Sequence, residues 1–169
     1  VAFSAAAQSS PDAATKNVEA AVRITNSPTN SVTNSSLIEL SERLRDECIR
    51  GRRSICGKVL RVFPEGIVVE SGYTNLLREP LNKSWLIPGS VAATRASNLV
   101  ESTEPNAICV GTVFVSDLPR GGKPKQYDYI VLTGYPAGQK TYTSVGNIRK
   151  TARPFSANLD QAVRLNFET

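Results

Sequence analysis

A mainly β domain, a small barrel or sandwich preceded by one amphipathic helix and a flexible N-terminal tail, is the fold this sequence predicts. Three observations carry it. From Lys58 onward the apolar residues fall in short runs separated by Gly/Pro turns; Leu37, Leu40, Leu44 and Cys48 recur at helical spacing; and Gln8 to Ser36 is dominated by Ser, Thr, Asn, Ala and Pro without a sustained apolar period. A chain of 169 residues, 40% of them hydrophobic, fills one core, so a single domain over 35–169 is expected behind a tail over 1–34.

The tail composition offers too little apolar burial to offset the entropy of ordering it. One stretch interrupts it, Asn17 to Ile24, where Val18, Val22 and Ile24 suit a strand or helical turn formed against a partner, and these three residues are the assembly candidates. Ahead of it, residues 1–7 resemble the end of a secretory signal, a short apolar stretch leading to Ala-x-Ala. The expected location is therefore secreted or periplasmic.

The helix is expected over about 36–50. Ser36 and Glu39 form a capping box, Glu39 and Arg43 an i,i+4 ion pair, and Gly51 a stop, with the leucine stripe facing the core. The β part then runs over about 57–169. Lys58 to Phe63 and Gly66 to Glu70 read as a hairpin around Pro64-Glu65. Further strands are expected at Trp85 to Ile87, Ser90 to Ala93, Ala107 to Val115, Tyr127 to Thr133, Thr141 to Ile148 and Ala162 to Phe167. The last alternates, Val163, Leu165 and Phe167 against Arg164, Asn166 and Glu168.

Composition excludes several chemistries. Without histidine the chain lacks the usual neutral-pH base, the commonest metal ligand and the partner of Ser-His or Cys-His nucleophiles. Cys48, Cys56 and Cys109 show no C-x-x-C spacing. Neither a catalytic residue, a metal nor a cofactor is expected. A disulfide between Cys48 and Cys56 is geometrically reachable across Gly51; two unlinked core thiols are the alternative. Cys109, within an apolar run, reads as core. The longest apolar runs are about five residues, against the ~20 of a membrane helix, so no transmembrane segment is expected.

Charge is uneven. Residues 1–119 hold twelve basic and twelve acidic side chains, while 120–169 hold eight basic and three acidic, so the net +5 resides in the final third. That third contains a flexible basic loop, Arg120-Gly121-Gly122-Lys123-Pro124-Lys125, then Tyr135, Lys140 and Tyr142 around a turn, then Arg149, Lys150 and Arg153. Tyrosines that stack bases beside cations that neutralise phosphates are the ingredients of a polyanion or single-strand binding surface. Basic hairpin tips that protect sheet edges are the alternative. Asp117 and Asp128 read as a turn cap and a surface charge, and Trp85 as a barrel-end anchor.

Gly57-Lys58-Val59, Val62, Gly66 and Val69 resemble the opening hairpin of the S1-like branch of OB-fold barrels. Val113 to Asp117, Arg120 and Ile130 to Leu132 resemble its closing pair of strands. The resemblance covers about a third of the chain. It implies single-stranded nucleic-acid binding through aromatic stacking on a barrel face beside basic residues. Phe63 lies before Pro64 rather than beside the hairpin glycine, and the family's third-strand histidine is missing. Two functions are thus expected: a non-catalytic structural or binding protein of an exported compartment that forms homo-oligomers through its tail, or an OB-like module for nucleic acid or another polyanion.

Overall fold

The computed structural model describes residues 29–138, 140–143 and 149–168. The expectations for residues 1–7 and for Val18, Val22 and Ile24 lie outside them. In chain order the elements are α1 (Thr29–Arg50), β1 (Arg53–Phe63), β2 (Gly66–Ser71), β3 (Leu86–Ile87), β4 (Gly111–Ser116), β5 (Tyr129–Pro136), β6 (Lys140–Thr143), β7 (Arg149–Ser156) and α2 (Leu159–Phe167). Mainly β with an N-terminal helix is the fold class observed.

Five strands close on one another. β1 is antiparallel to both β2 and β5, β2 to β4, and β4 runs parallel to β7. β7 returns to β5 at Tyr135↔Ser156 and Pro136↔Phe155, completing a ring of hydrogen bonds. β3 flanks β5 and β6 flanks β7. The architecture is barrel-like.

Backbone features at named positions allow the closure. An extra residue, Leu60, bulges β1 between Val59 and Arg61, which bends the long strand between two partners. A Cβ at Gly57 would collide with the Glu70 carbonyl oxygen, and one at Gly134 with the Ile55 side chain and Phe155. Side chains at either position would hold the strands apart.

Ile55, Val59, Ile67, Val69, Val113, Val115, Ile130 and Phe155 fill the interior with Cys109, the inward half of each strand's alternation. Each such aliphatic side chain contributes about 1.5–3 kcal/mol of burial. The long connection between β2 and β4 wraps the outside of β1 and β5, burying Cys56, Tyr73, Leu76, Ile87 and Tyr129. Between the helices and the end of β5 lies a third cluster, Cys48, Ala137 and Ala162.

Several expectations are corrected. The capping box is internal, because α1 begins at Thr29. Only the C-terminal half of its stripe is covered: Cys48 is buried and Leu44 half-buried, whereas Leu37 and Leu40 are 48% and 43% exposed. Gly51 does end the helix, its amide donating to the Glu47 carbonyl. The reachable Cys48–Cys56 disulfide is absent, since each thiol is free and buried in a different cluster. Trp85 packs on the interior cluster beside Gly121, as a barrel-end anchor does.

Residues 162–167, expected as a strand, form most of α2. Asn158 caps it, Oδ1 accepting from the Asp160 and Gln161 amides at 2.9 and 3.2 Å. Its inward stripe runs through Leu159, Ala162, Val163 and Asn166, so a small and a polar residue hide the helical period. Ser90 to Ala93 form no strand; Val91 and Ala93 pack from the wrapping connection onto the Tyr73 cluster. Strand β7 was not expected, because its three basic residues and Pro154 disguise it.

Candidate functional site

The expected basic candidates separate into three environments. Arg120, Lys123 and Lys125 lie exposed on the β4–β5 connection. Tyr135 is half-buried against the Cys48, Ala137 and Ala162 cluster, so its ring is packing rather than a stacking platform. Arg153 is held inside a structural knot: Nη1 and Nη2 donate to the two Glu101 carboxylate oxygens at 2.7 and 2.8 Å, and Nη2 also reaches the Val110 carbonyl. Arg53 adds a second cation to Glu101 at 3.7 Å. The Arg153 hydrogen bonds hold the Glu101 carboxyl below its ordinary range, outweighing the opposing effect of burial. For Lys140, Tyr142, Arg149 and Lys150 the structure describes the backbone, in which the β6–β7 ladder sets Tyr142 opposite Lys150 and Thr143 opposite Arg149.

A different set of residues assembles on the outer side of β1, β2 and β4. Lys58 pairs across the ladder with Glu70, Arg61 with Val68, and Phe63 with Gly66. The Arg61 guanidinium stands 5.6 Å from the centroid of the Phe63 ring, and Phe63 lies 6.4 Å from Phe114 in a tilted pair. Val68 and Phe114 form the buried floor beneath them with Ala152. Glu70 accepts from Arg95 Nη1 at 2.8 Å and from the Tyr73 hydroxyl at 3.1 Å, which ties its negative charge to another cation beside Lys58.

The β4–β5 connection completes this face. Tyr127 adopts φ of 73°, a left-handed conformation that costs a non-glycine residue about 1–3 kcal/mol. The turn is fastened from several sides. The Tyr127 amide donates to the Val59 carbonyl at 2.8 Å and the Val59 amide to the Asp128 carbonyl at 2.7 Å. Asp128 accepts from the Gly89 and Lys125 amides at 3.0 and 2.8 Å, and the Gln126 side-chain amide donates to the Leu60 carbonyl at 3.0 Å. Thus held, Tyr127 remains 55% exposed with the Lys58 ammonium 4.8 Å from its ring centroid.

The result is two neighbouring cation–aromatic pairs, Lys58 with Tyr127 and Arg61 with Phe63, with Lys123 at the groove that Phe63 lines and Lys125 in the turn that holds Tyr127. An arrangement of this kind attracts anions and offers π faces. Sequence reading places Lys58, Arg61 and Phe63 on one strand but not on a site, because their meeting with Tyr127 depends on the bulge and on the 125–128 turn. Arg61 and Phe63 alternating outward after Lys58, and Tyr127 just beyond the basic loop, were the available signals.

The thiols do not extend the chemistry. Burial pushes Cys56 and Cys109 up to about 11 and raises Cys48 as well, which keeps all three protonated at neutral pH. Asp117 and Asp128 do not form a catalytic pair: Asp128 fastens the turn, while Asp117 accepts from the Ser116 and Ser156 hydroxyls. No helix among the described residues is long and apolar enough to cross a membrane. No family model, curated protein or solved structure matches the chain.

Proposed function

We propose that this chain is a non-catalytic binding module, an OB-type barrel that engages single-stranded nucleic acid on the outer face of β1, β2 and β4. The observation that carries the reading is the pair of cation–aromatic contacts, Lys58 with Tyr127 and Arg61 with Phe63, on one side of a closed five-strand ring. OB-type barrels are five-stranded, and they bind on the surface of their second and third strands. Here those strands in ring order are β2 and β4, whose outward residues form the floor of the face. Bases stack on Tyr127 and Phe63 while Lys58, Arg61 and the basic loop neutralise phosphates.

The test is oligothymidylate binding, followed by fluorescence anisotropy across about 50 to 200 mM salt. Tyr127→Ala is expected to weaken binding by roughly fivefold or more, in line with the loss of a stacked base. Equal affinity for dextran sulfate, insensitive to Tyr127, would reduce the face to nonspecific attraction of polyanions.

A second reading, a structural protein that forms homo-oligomers, is favoured by the exposed Leu37, Ile38 and Leu40 on α1. Sedimentation of a variant with Leu37, Ile38 and Leu40 changed to Gln tests it. An unchanged association state would remove it.

A further inference from the structure

We infer that Asp117 is a base-reading acceptor, giving the face a preference for guanine; the inference rests on the proposed single-strand interface. Asp117 directly follows β4 with φ of 53°, and hydroxyl contacts orient its carboxylate. The Ser116 hydroxyl donates to Oδ2 at 2.7 Å, and the fully buried Ser156 hydroxyl shares its one proton between Oδ2 at 2.7 Å and the Asn158 carbonyl at 2.9 Å.

An open groove of about 790 Å³ runs between the β1–β2 hairpin tip and the β4–β5 connection. Val62, Phe63, Pro64, Ile67 and Leu118 give it apolar walls, Asp117 lines it, and Lys123 stands at the same groove. Phe63 belongs both to this groove and to the outer face, where Arg61 covers it. A strand lying on that face therefore leads into the groove.

Charge decides which part of the strand enters. The Asp117 carboxylate that lines the groove repels phosphate, while the apolar walls suit a flat, neutral ring. Phosphates belong instead along Lys123 and Lys125. A carboxylate only accepts hydrogen bonds, and with the Ser116 and Ser156 hydroxyls on Oδ2, Oδ1 keeps acceptor positions for incoming donors. Guanine presents two adjacent donors, its N1–H and its 2-amino group. Cytosine and adenine present an amino donor alone, and the N3–H of thymine is flanked by carbonyls that a carboxylate repels. The expected order is guanine first and thymine last.

The experiment compares anisotropy titrations of an oligothymidylate with the same strand carrying one guanine, or one hypoxanthine, which lacks the 2-amino group. The guanine strand is expected to bind about tenfold tighter than the all-thymine strand, with hypoxanthine between them. Asp117→Asn should bring the guanine-to-thymine ratio to about one. Equal affinity for guanine, hypoxanthine and thymine strands overturns the inference while leaving the face intact, as does a preference that survives Asp117→Asn. The comparison of the three strands uses the unaltered protein, so it decides the matter even if the variant does not fold. Failure of every strand to bind overturns the proposed interface itself, and with it this inference. Binding of an arginine-containing peptide with the same Asp117 dependence, and of no oligonucleotide, would overturn it in favour of a protein partner.

Discussion

Replacing Tyr127 by glycine separates a structural role from a binding role. The ring is 55% exposed, so a little under half of a tyrosine's area is removed from water. Taking roughly 200 Å² for a whole tyrosine gives about 90 Å² buried, or about 2 kcal/mol lost on truncation. The Lys58 contact adds about 0.5 kcal/mol at such an exposed site. Against these losses, glycine at φ of 73° relieves about 1–2 kcal/mol of left-handed strain. The net change in unfolding free energy is expected to stay within about 1–2 kcal/mol, read from urea melts. Oligothymidylate affinity should fall at the same time by about 1–3 kcal/mol, the worth of a stacked base. The reasoning is refuted if Tyr127→Gly costs much more than about 3 kcal/mol, which would make the ring a core anchor, or if affinity is unchanged.

Three further outcomes follow from other parts of the molecule. Lys58→Gln and Arg61→Gln should each reduce the salt slope of oligonucleotide binding by about one, measured as log affinity against log salt concentration. Gly134→Ala should destabilise by about 1–3 kcal/mol in denaturant melts, because the added methyl meets Ile55 and Phe155 where β5 turns toward β7. The Glu101 carboxyl, depressed by the Arg153 hydrogen bonds, contributes stability that is full above the ordinary glutamate value of about 4.3 and is lost as pH falls through its lower folded value. Glu101→Gln should therefore be less stable at neutral pH and flatten this acid-side decline in thermal melts.

The legible parts of the fold are those where a periodic pattern coincides with a local stop signal. The β1–β2 hairpin is of this kind, with Val59 and Val62 ahead of Pro64-Glu65 and alternating Ile67 and Val69 behind it, and so is the end of α1 at Gly51. What stayed hidden depends on partners distant in the chain. β7 carries Arg149, Lys150, Arg153 and Pro154, yet Val113↔Arg153 and Tyr135↔Ser156 bind it into the ring from both sides. α2 shows a strand-like alternation because Leu165 and Phe167 point outward while Ala162 and Asn166 take the buried side. The candidate site divides in the same way. Lys123 and Lys125 lie beside it as the basic loop suggested, but Arg153 belongs to the Glu101 knot and Tyr135 to the helix cluster. Val113 to Asp117 and Ile130 to Leu132 are not neighbours as the resemblance implied; β7 stands between β4 and β5.

Amide chemical shifts measured during an oligothymidylate titration test the central claim most directly. The account predicts saturable changes concentrated at Lys58, Arg61, Phe63 and Gln126 to Asp128, with Tyr135 and Ala162 at the helix cluster unmoved. Changes centred instead on α1, or spread evenly over every exposed basic residue, would contradict it.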